Sequence, residues 1–397
     1  MTIEADHLHN PLAKLVNLES QEKTSRGLMH TPQEIWQQPA TWINTFLRVS
    51  ERAEQLHRFL VKSLSEQATV YLIGAGTSDY VGRTLTSVLR EKWHCNVIAV
   101  PSTDMITEME SYTSLGKPGL WISFSRSGDS SEGVGVLERA LREYPEVRHL
   151  VVGCNRNGKM LQMCEGLEKA FTLVLDDAVN DRGLAMTSSF TNMVVAGQCI
   201  ANLSSLAEYR STLDALVDMG SRMLEQAAPI AESISRANCR KAVFVGSGSL
   251  AAVATECALK SLELTAGSIH TMSESVMGLR HGPMSAMDEE TLFVSFLSSA
   301  PSRLRYEVDL LREVQEKGLG RVRVAIAPVS IDGLPSLCNH AIVLGAPLGF
   351  SDDYLAPVDV IFGQVFGLFA SINAGLQPDQ PSPDGTISRV VSHVKLY

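Results

Sequence analysis

A segment near the start of the chain recurs 172 residues further on, and this repeat constrains the fold more than any other feature. VYLIGAGTSDYVG at 70–82 is echoed by AVFVGSGSLAAVA at 242–254, which sets Gly74 opposite Gly246 and Gly76 opposite Gly248. The same offset lays Ser123 on Ser295 and Phe124 on Phe296, where GLWISFSRSGDSSE meets TLFVSFLSSAPS without a gap. Two apolar runs in register over one offset imply a duplicated folding unit. At 397 residues the chain is also too long for one ordinary core, because cores stop growing near roughly 250–300 residues.

Each copy alternates short strands rich in β-branched residues with stretches of helical periodicity. The strands are YLIG, LWISFS and LVVGC in the first copy, then VFVGSG, LFVSF and VRVAIA in the second. Such alternation builds βαβ units, so the expected class is α/β: two tandem doubly wound parallel-sheet domains of the flavodoxin-like three-layer type. The expected division is a helical lead-in over 1–50, a first sheet domain over 51–205, a second over 206–375 and a C-terminal tail over 376–397. In the lead-in, Thr31 and Glu34 have capping-box spacing and Pro39 predicts a break in the helix. Residues 203–237 read as a helix joining the copies.

The net charge of −10 argues against nucleic acid and anionic membranes as partners, since both require a basic footprint. It does not exclude a small anion held locally by backbone amides. No run approaches 18 uninterrupted apolar residues and the first residues lack a signal-peptide pattern, so a soluble cytoplasmic chain is expected. The seven cysteines are scattered and never spaced CxxC, which reads as reduced, structural thiols. HExxH and HxxxH are absent and His270 and His281 are eleven apart, so neither a metal nor an organic cofactor is expected.

In open parallel sheets a ligand sits beyond the carboxyl ends of the strands, where loops lead into helix N-termini. Two loops of the first copy are placed there. GAGTSD supplies Gly76 for a tight turn and the hydroxyls of Thr77 and Ser78; SFSRSGDSS supplies Ser125, Ser127 and Ser130 around Gly128, with Arg126 as a possible guanidinium fork. A single Ser- and Gly-rich turn is often no more than a turn and helix cap. Two in repeat register point to a phosphate site. In the second copy Leu297 stands where Ser125 was and Ala300 where Gly128 was, which predicts one principal phosphate site, in the first copy.

The second copy instead carries Glu256, Lys260 and Glu263 in TECALKSLEL, at spacings that share one helix face. The face reads either as solvated, with one Glu–Lys pair, or as a functional group of charges among apolar neighbours. His281 follows in the turn RHGP and by itself proves little.

GAGTS, SFSRSGDSSE, ECALKSLEL and RHGP, in this order on two copies, resemble the sugar-isomerase (SIS) domain family over roughly 50–397. They are similar to the isomerase half of glucosamine-6-phosphate synthase, and more so to the galactosamine-6-phosphate deaminase/isomerase family, often labelled tagatose-6-phosphate ketose/aldose isomerase. The resemblance implies that Ser125, Ser127 and Ser130, with Thr77 and Ser78, hold a sugar phosphate. It implies that Glu263 moves a proton between C1 and C2, that His281 opens the ring, and that Glu256 and Lys260 orient these groups. It further implies a homodimer or larger assembly with shared active sites, the histidine often coming from the neighbouring subunit.

Two departures from the synthase bear on the chemistry. Residue 2 is Thr2 where the synthase carries a catalytic cysteine, so no glutamine-derived ammonia is expected. Where the synthase has a Schiff-base lysine near its C-terminus, TISRVVSHV here has Arg389, too basic to act as that amine, while Lys395 is out of register. Arg389 would bind substrate or close the tail over it. A substrate that brings its own C2 amine needs neither feature. The expected activity is therefore deamination and isomerisation of an amino-sugar 6-phosphate, most naturally galactosamine 6-phosphate. A plain ketose/aldose phosphate isomerase and a sugar-phosphate-sensing module are the rival readings.

Overall fold

The computed structural model describes residues 9–64, 68–113, 118–382, 384–391 and 394–397. Thr2, and Ser392 and His393 of the tail, lie outside them. The chain forms two compact units. A first-sheet unit comprises 40–181, 188–213 and 388–397; a second-sheet unit comprises 9–39, 182–187 and 214–387.

The first sheet contains β1 (Thr69–Gly74), β2 (Asn96–Pro101), β3 (Pro118–Ser125), β4 (Arg148–Gly153) and β5 (Ala170–Val174). The second contains β6 (Lys241–Gly246), β7 (His270–Ser275), β8 (Thr291–Phe296), β9 (Val322–Ala327) and β10 (His340–Val343). The orders are β2-β1-β3-β4-β5 and β10-β9-β8-β6-β7 with every pairing parallel, so the two sheets share one doubly wound topology. β1 and β6 stand 172 residues apart at both ends, which realises the repeat in space.

Each sheet is three buried strands wide, flanked by a more exposed strand on either side. The flanking strands are β2 and β5 in one sheet and β7 and β10 in the other, and none of these four is among the six strands singled out from the sequence. An outer strand of half-exposed, mixed residues such as HTMSES carries no hydrophobic periodicity to read. The cores are assembled from the inner strands and the helices packed on them: Tyr71, Val100, Trp121 and Val136 in the first unit, Val243, Phe293, Leu310 and Val314 in the second. Each such side chain contributes about 1.5–3 kcal/mol on full burial.

Helix α1 (Thr31–Trp36) is followed at once by α2 (Gln38–Val61), so the expected break falls at Gln37, with Pro39 in the first turn of the second helix. The capping-box expectation is overturned. His30, not Thr31, is the cap residue of α1 and makes no side-chain cap bond. The cap comes from far along the chain: Asp379 accepts the backbone N–H groups of His30 and Thr31 and the Thr31 hydroxyl, the last two at 2.7 and 2.8 Å. Glu34 accepts the N–H of Arg182. The spacing was present, and both side chains had better partners elsewhere.

Helices α3 (Thr77–Trp93) and α4 (Ser131–Glu143) follow β1 and β3, and α5 (Leu206–Ser235) carries the chain between the units. Helices α6 (Ser249–Leu264) and α7 (Pro301–Glu316) follow β6 and β8, and α8 (Ala356–Asn373) comes after β10. α8 is long and apolar enough to cross a membrane, yet 89% of it is buried inside the structure. Its apolar character is that of a core helix. All seven cysteines are free, and burial pushes the thiols of Cys154, Cys199 and Cys257 up, so they remain protonated.

Candidate active site

In the first-sheet unit β1 and β3 lie side by side, and the chain leaves them in opposite directions, toward β2 and β4. The loops after β1 and β3 therefore open together at the topological switch point. The turn after β1 depends on glycine. A Cβ on Gly74 would lie 2.3 Å from the Ser78 carbonyl carbon, and Gly76 has φ 54° and ψ −125°; Gly248 repeats this turn at φ 61° and ψ −127°. Thr77 and Ser78 form the buried first turn of α3.

The serine loop is held from within. Ser125 Oγ accepts the Gly128 N–H at 3.0 Å, Ser127 Oγ accepts the Asp129 N–H at 3.2 Å, and Asn155 donates to the Ser127 carbonyl at 3.0 Å. Gly128 has φ 72°, and a Cβ there would meet Gly158 at 2.9 Å. Ser130 caps α4 without using its hydroxyl for a cap bond. The hydroxyls and the amides of the 13-residue α4 N-terminus make a locally electropositive cradle on an acidic chain.

Arg126 is buried and donates to the carbonyl of Arg389, while the Arg389 guanidinium donates to the Asp181 carbonyl and, at 3.1 Å, to Asn180. Ser131 donates its N–H to the Val391 carbonyl at 3.0 Å. The tail thus reaches the serine loop through carbonyl oxygens, and both guanidiniums have protein acceptors.

In the second-sheet unit α6 draws Glu256, Lys260 and Glu263 together. Lys260 and Glu256 are fully buried and Glu263 keeps a quarter of its side chain exposed, so the solvated-face reading fails. α8 explains the burial. Its Gly363 stands so close to Cys257 that a Cβ would lie 2.6 Å away, and a Cβ on Gly367 would lie 3.1 Å from the Lys260 carbonyl. The sequence reading did not single out these glycines, although the GQVFG spacing in an apolar helix signals a close helix crossing. His281 is exposed at the end of a short 3-10 turn, and among the described residues its ring makes no hydrogen bond. The structure does not join it to the α6 group.

Leu297 is buried and Ala300 caps α7, as expected of a second copy without the serine cluster. Ser298 and Ser299 still present hydroxyls there, and these are turned on the carboxylate of Asp352. Among the described residues no group of three or more His, Cys, Asp or Glu side chains is arranged to hold a metal ion.

The D-galactosamine-6-phosphate deaminase AgaS of Escherichia coli is 36% identical over 369 residues, covering 92% of this chain and 95% of that protein. This chain belongs to the AgaS family. The solved tagatose-6-phosphate ketose/aldose isomerase of Escherichia coli superposes with a TM-score of 0.82 at 34% identity, over 88% of this chain and 95% of that one. The C-terminal domain of glucosamine-fructose-6-phosphate aminotransferase from Francisella tularensis, at 22% identity and a TM-score of 0.71, covers 92% of this chain and 100% of that one and shares the fold. No family model matches the chain. The AgaS family and these neighbours agree with the SIS resemblance and with two parallel α/β sheets.

Proposed function

We propose that this AgaS-family chain converts D-galactosamine 6-phosphate and water to tagatose 6-phosphate and ammonia, a hydrolysis of a C–N bond coupled to aldose–ketose isomerisation. The single observation that supports this most is the α6 group, where a buried ammonium grips two carboxylates and only Glu263 reaches solvent. A carboxylate held in place but open on one side is suited to moving a proton between adjacent carbons.

Ser125, Ser127 and Ser130, with the Gly76 turn, Thr77 and Ser78, hold the phosphate. Those contacts supply binding energy and positioning at C6, distant from the reacting C1 and C2. His281 assists ring opening to the aldehyde. Glu263 takes the C2 proton, forming an enolamine across C1 and C2, and returns it to C1, which leaves a ketimine at C2. Water adds to that carbon, the carbinolamine expels ammonia, and the C2 carbonyl of the ketose remains. Glu256 and Lys260 orient Glu263, Arg126 steadies the serine loop, and Arg389 ties the tail to it. The working form is a homodimer or larger assembly in the cytoplasm, and the chemistry uses neither metal nor organic cofactor.

Purified protein incubated separately with galactosamine 6-phosphate and glucosamine 6-phosphate tests this, with ammonia and ketose phosphate assayed in the same samples. Equal amounts of both products from the galacto sugar are expected. Ketose formed from aldose phosphates without ammonia from either amino sugar would replace the deaminase with a plain isomerase, the reading that the name of the Escherichia coli structure favours.

A further inference from the structure

The switch point of the second-sheet unit holds an anion that belongs to the chain itself. β6 and β8 pair side by side, and the loops after them open together, as the loops after β1 and β3 do in the first unit. In the second unit these loops surround Asp352, whose side chain is fully buried. Ser299 donates both its N–H and its hydroxyl to Oδ1, each at 2.7 Å. The Ser298 hydroxyl donates to Oδ2, which also pairs with the Arg303 guanidinium at 2.8 Å. Beside it, Glu307 accepts the Ser298 N–H at 2.6 Å. Arg303 lies over the glycine turn, its Nη1 2.9 Å from where a Cβ on Gly248 would stand.

Two hydroxyls, a backbone amide and a guanidinium converging on one carboxylate are a donor set suited to a phosphate or carboxylate ligand. We propose that the loop 298–303 is an anion-binding site whose resident anion is the Asp352 carboxylate, and that removing this carboxylate leaves a site which takes up a small external carboxylate or oxyanion. Arg303 reaches solvent and the Ser299 hydroxyl can turn to the Phe350 carbonyl at 2.8 Å, but without an anion the Ser298 hydroxyl and the Ser299 N–H lose their carboxylate acceptor, so uptake restores what the substitution removes.

Thermal unfolding of Asp352→Ala in sodium formate and in sodium chloride at equal ionic strength tests this, with wild type in both salts as the baseline for uptake elsewhere. The variant should unfold several degrees below wild type in chloride and regain part of that loss as formate is raised, beyond any shift in wild type. Adding Arg303→Ala should cut the formate response several-fold. A folded Asp352→Ala with the same midpoint in both salts would overturn the assignment. If the variant does not fold in chloride, refolding from urea gives the reading: native circular dichroism regained in formate alone supports the site, and failure in both salts overturns it. Asp352→Asn fills the same space without the charge, so a formate response as large as that of Asp352→Ala would place formate elsewhere and also overturn the assignment.

Discussion

Lys260 Nζ lies 2.5 Å from Glu263 Oε2 and 3.4 Å from Glu256 Oε1, one buried ammonium between two carboxylates of its own helix. The arrangement is asymmetric in burial. Glu256 is sealed beside Lys260, whereas Glu263 has a side open to solvent.

Glu263→Gln should lower kcat by about 10²–10⁴, the range that a positioned proton-transfer group supplies. Sugar-phosphate affinity by calorimetry should stay close to wild type, because the phosphate contacts are untouched. Unchanged ammonia release would remove Glu263 from the proton-transfer role.

Lys260→Met leaves Glu256 buried with its compensating charge gone. Loss of one partner of a buried pair costs about 3–5 kcal/mol, which urea unfolding followed by circular dichroism will report. A cost near zero would mean that α8 packing alone holds this helix.

Ser127→Ala should raise KM for the sugar phosphate by about tenfold to a hundredfold, the range for one charge-assisted hydrogen bond, with a smaller effect on kcat. Inhibition by inorganic phosphate should weaken in the same proportion. Full retention of both would take the loop out of phosphate binding.

His149 makes stability depend on pH. Burial against Trp121, whose ring lies 5.8 Å away at 80°, lowers its pKa from 6.5 to about 4. The unfolded chain therefore binds this proton at a higher pH than the folded chain does. The contribution is fully present above pH 6.5 and is lost as the pH falls toward 4, amounting to about 3 kcal/mol across that window. Denaturant unfolding at several pH values should show a shallower acid slope for His149→Phe than for wild type; parallel slopes would contradict the assignment.

Gly74 and Gly76 should respond differently to alanine although they are two residues apart. A Cβ at Gly74 strikes the backbone of Ser78, and Gly74→Ala should not yield a folded first-sheet unit. A Cβ at Gly76 meets nothing within 4 Å, so Gly76→Ala carries only backbone strain of about 1–3 kcal/mol and should fold with a lowered melting temperature. Equal behaviour of the two variants would refute the steric account.

The inner strands, the two switch-point turns and the charged face of α6 were legible because each leaves a local trace: an unbroken apolar run, a glycine at fixed offset, a spacing of three or four. Of the outer strands only β7, HTMSES, shows little apolar pattern; β2, β5 and β10 carry short apolar stretches, NVIAVP, AFTLV and HAIV, which the reading did not single out. What else escaped depends on residues distant in sequence. The loss of Ser125 and Gly128 equivalents was visible at Leu297 and Ala300, but nothing near Ser298 announces a carboxylate arriving from Asp352. Thr31 and Glu34 matched a local rule and were claimed by Asp379 and Arg182. The burial of Lys260 was hidden until Gly363 and Gly367 brought α8 against α6.

The acceptors that Arg126 and Ser131 use are the carbonyls of Arg389 and Val391, within the last ten residues of the chain. Residues 388–391 are synthesised after every strand of the second sheet, so the first-sheet unit, begun earlier, is incomplete until then. All five of its strands have been made by Val174, yet its serine loop waits for residues that follow the whole of the second sheet. A chain stopped at Ile387 would hold every strand of both sheets and still lack the two carbonyls that close that loop.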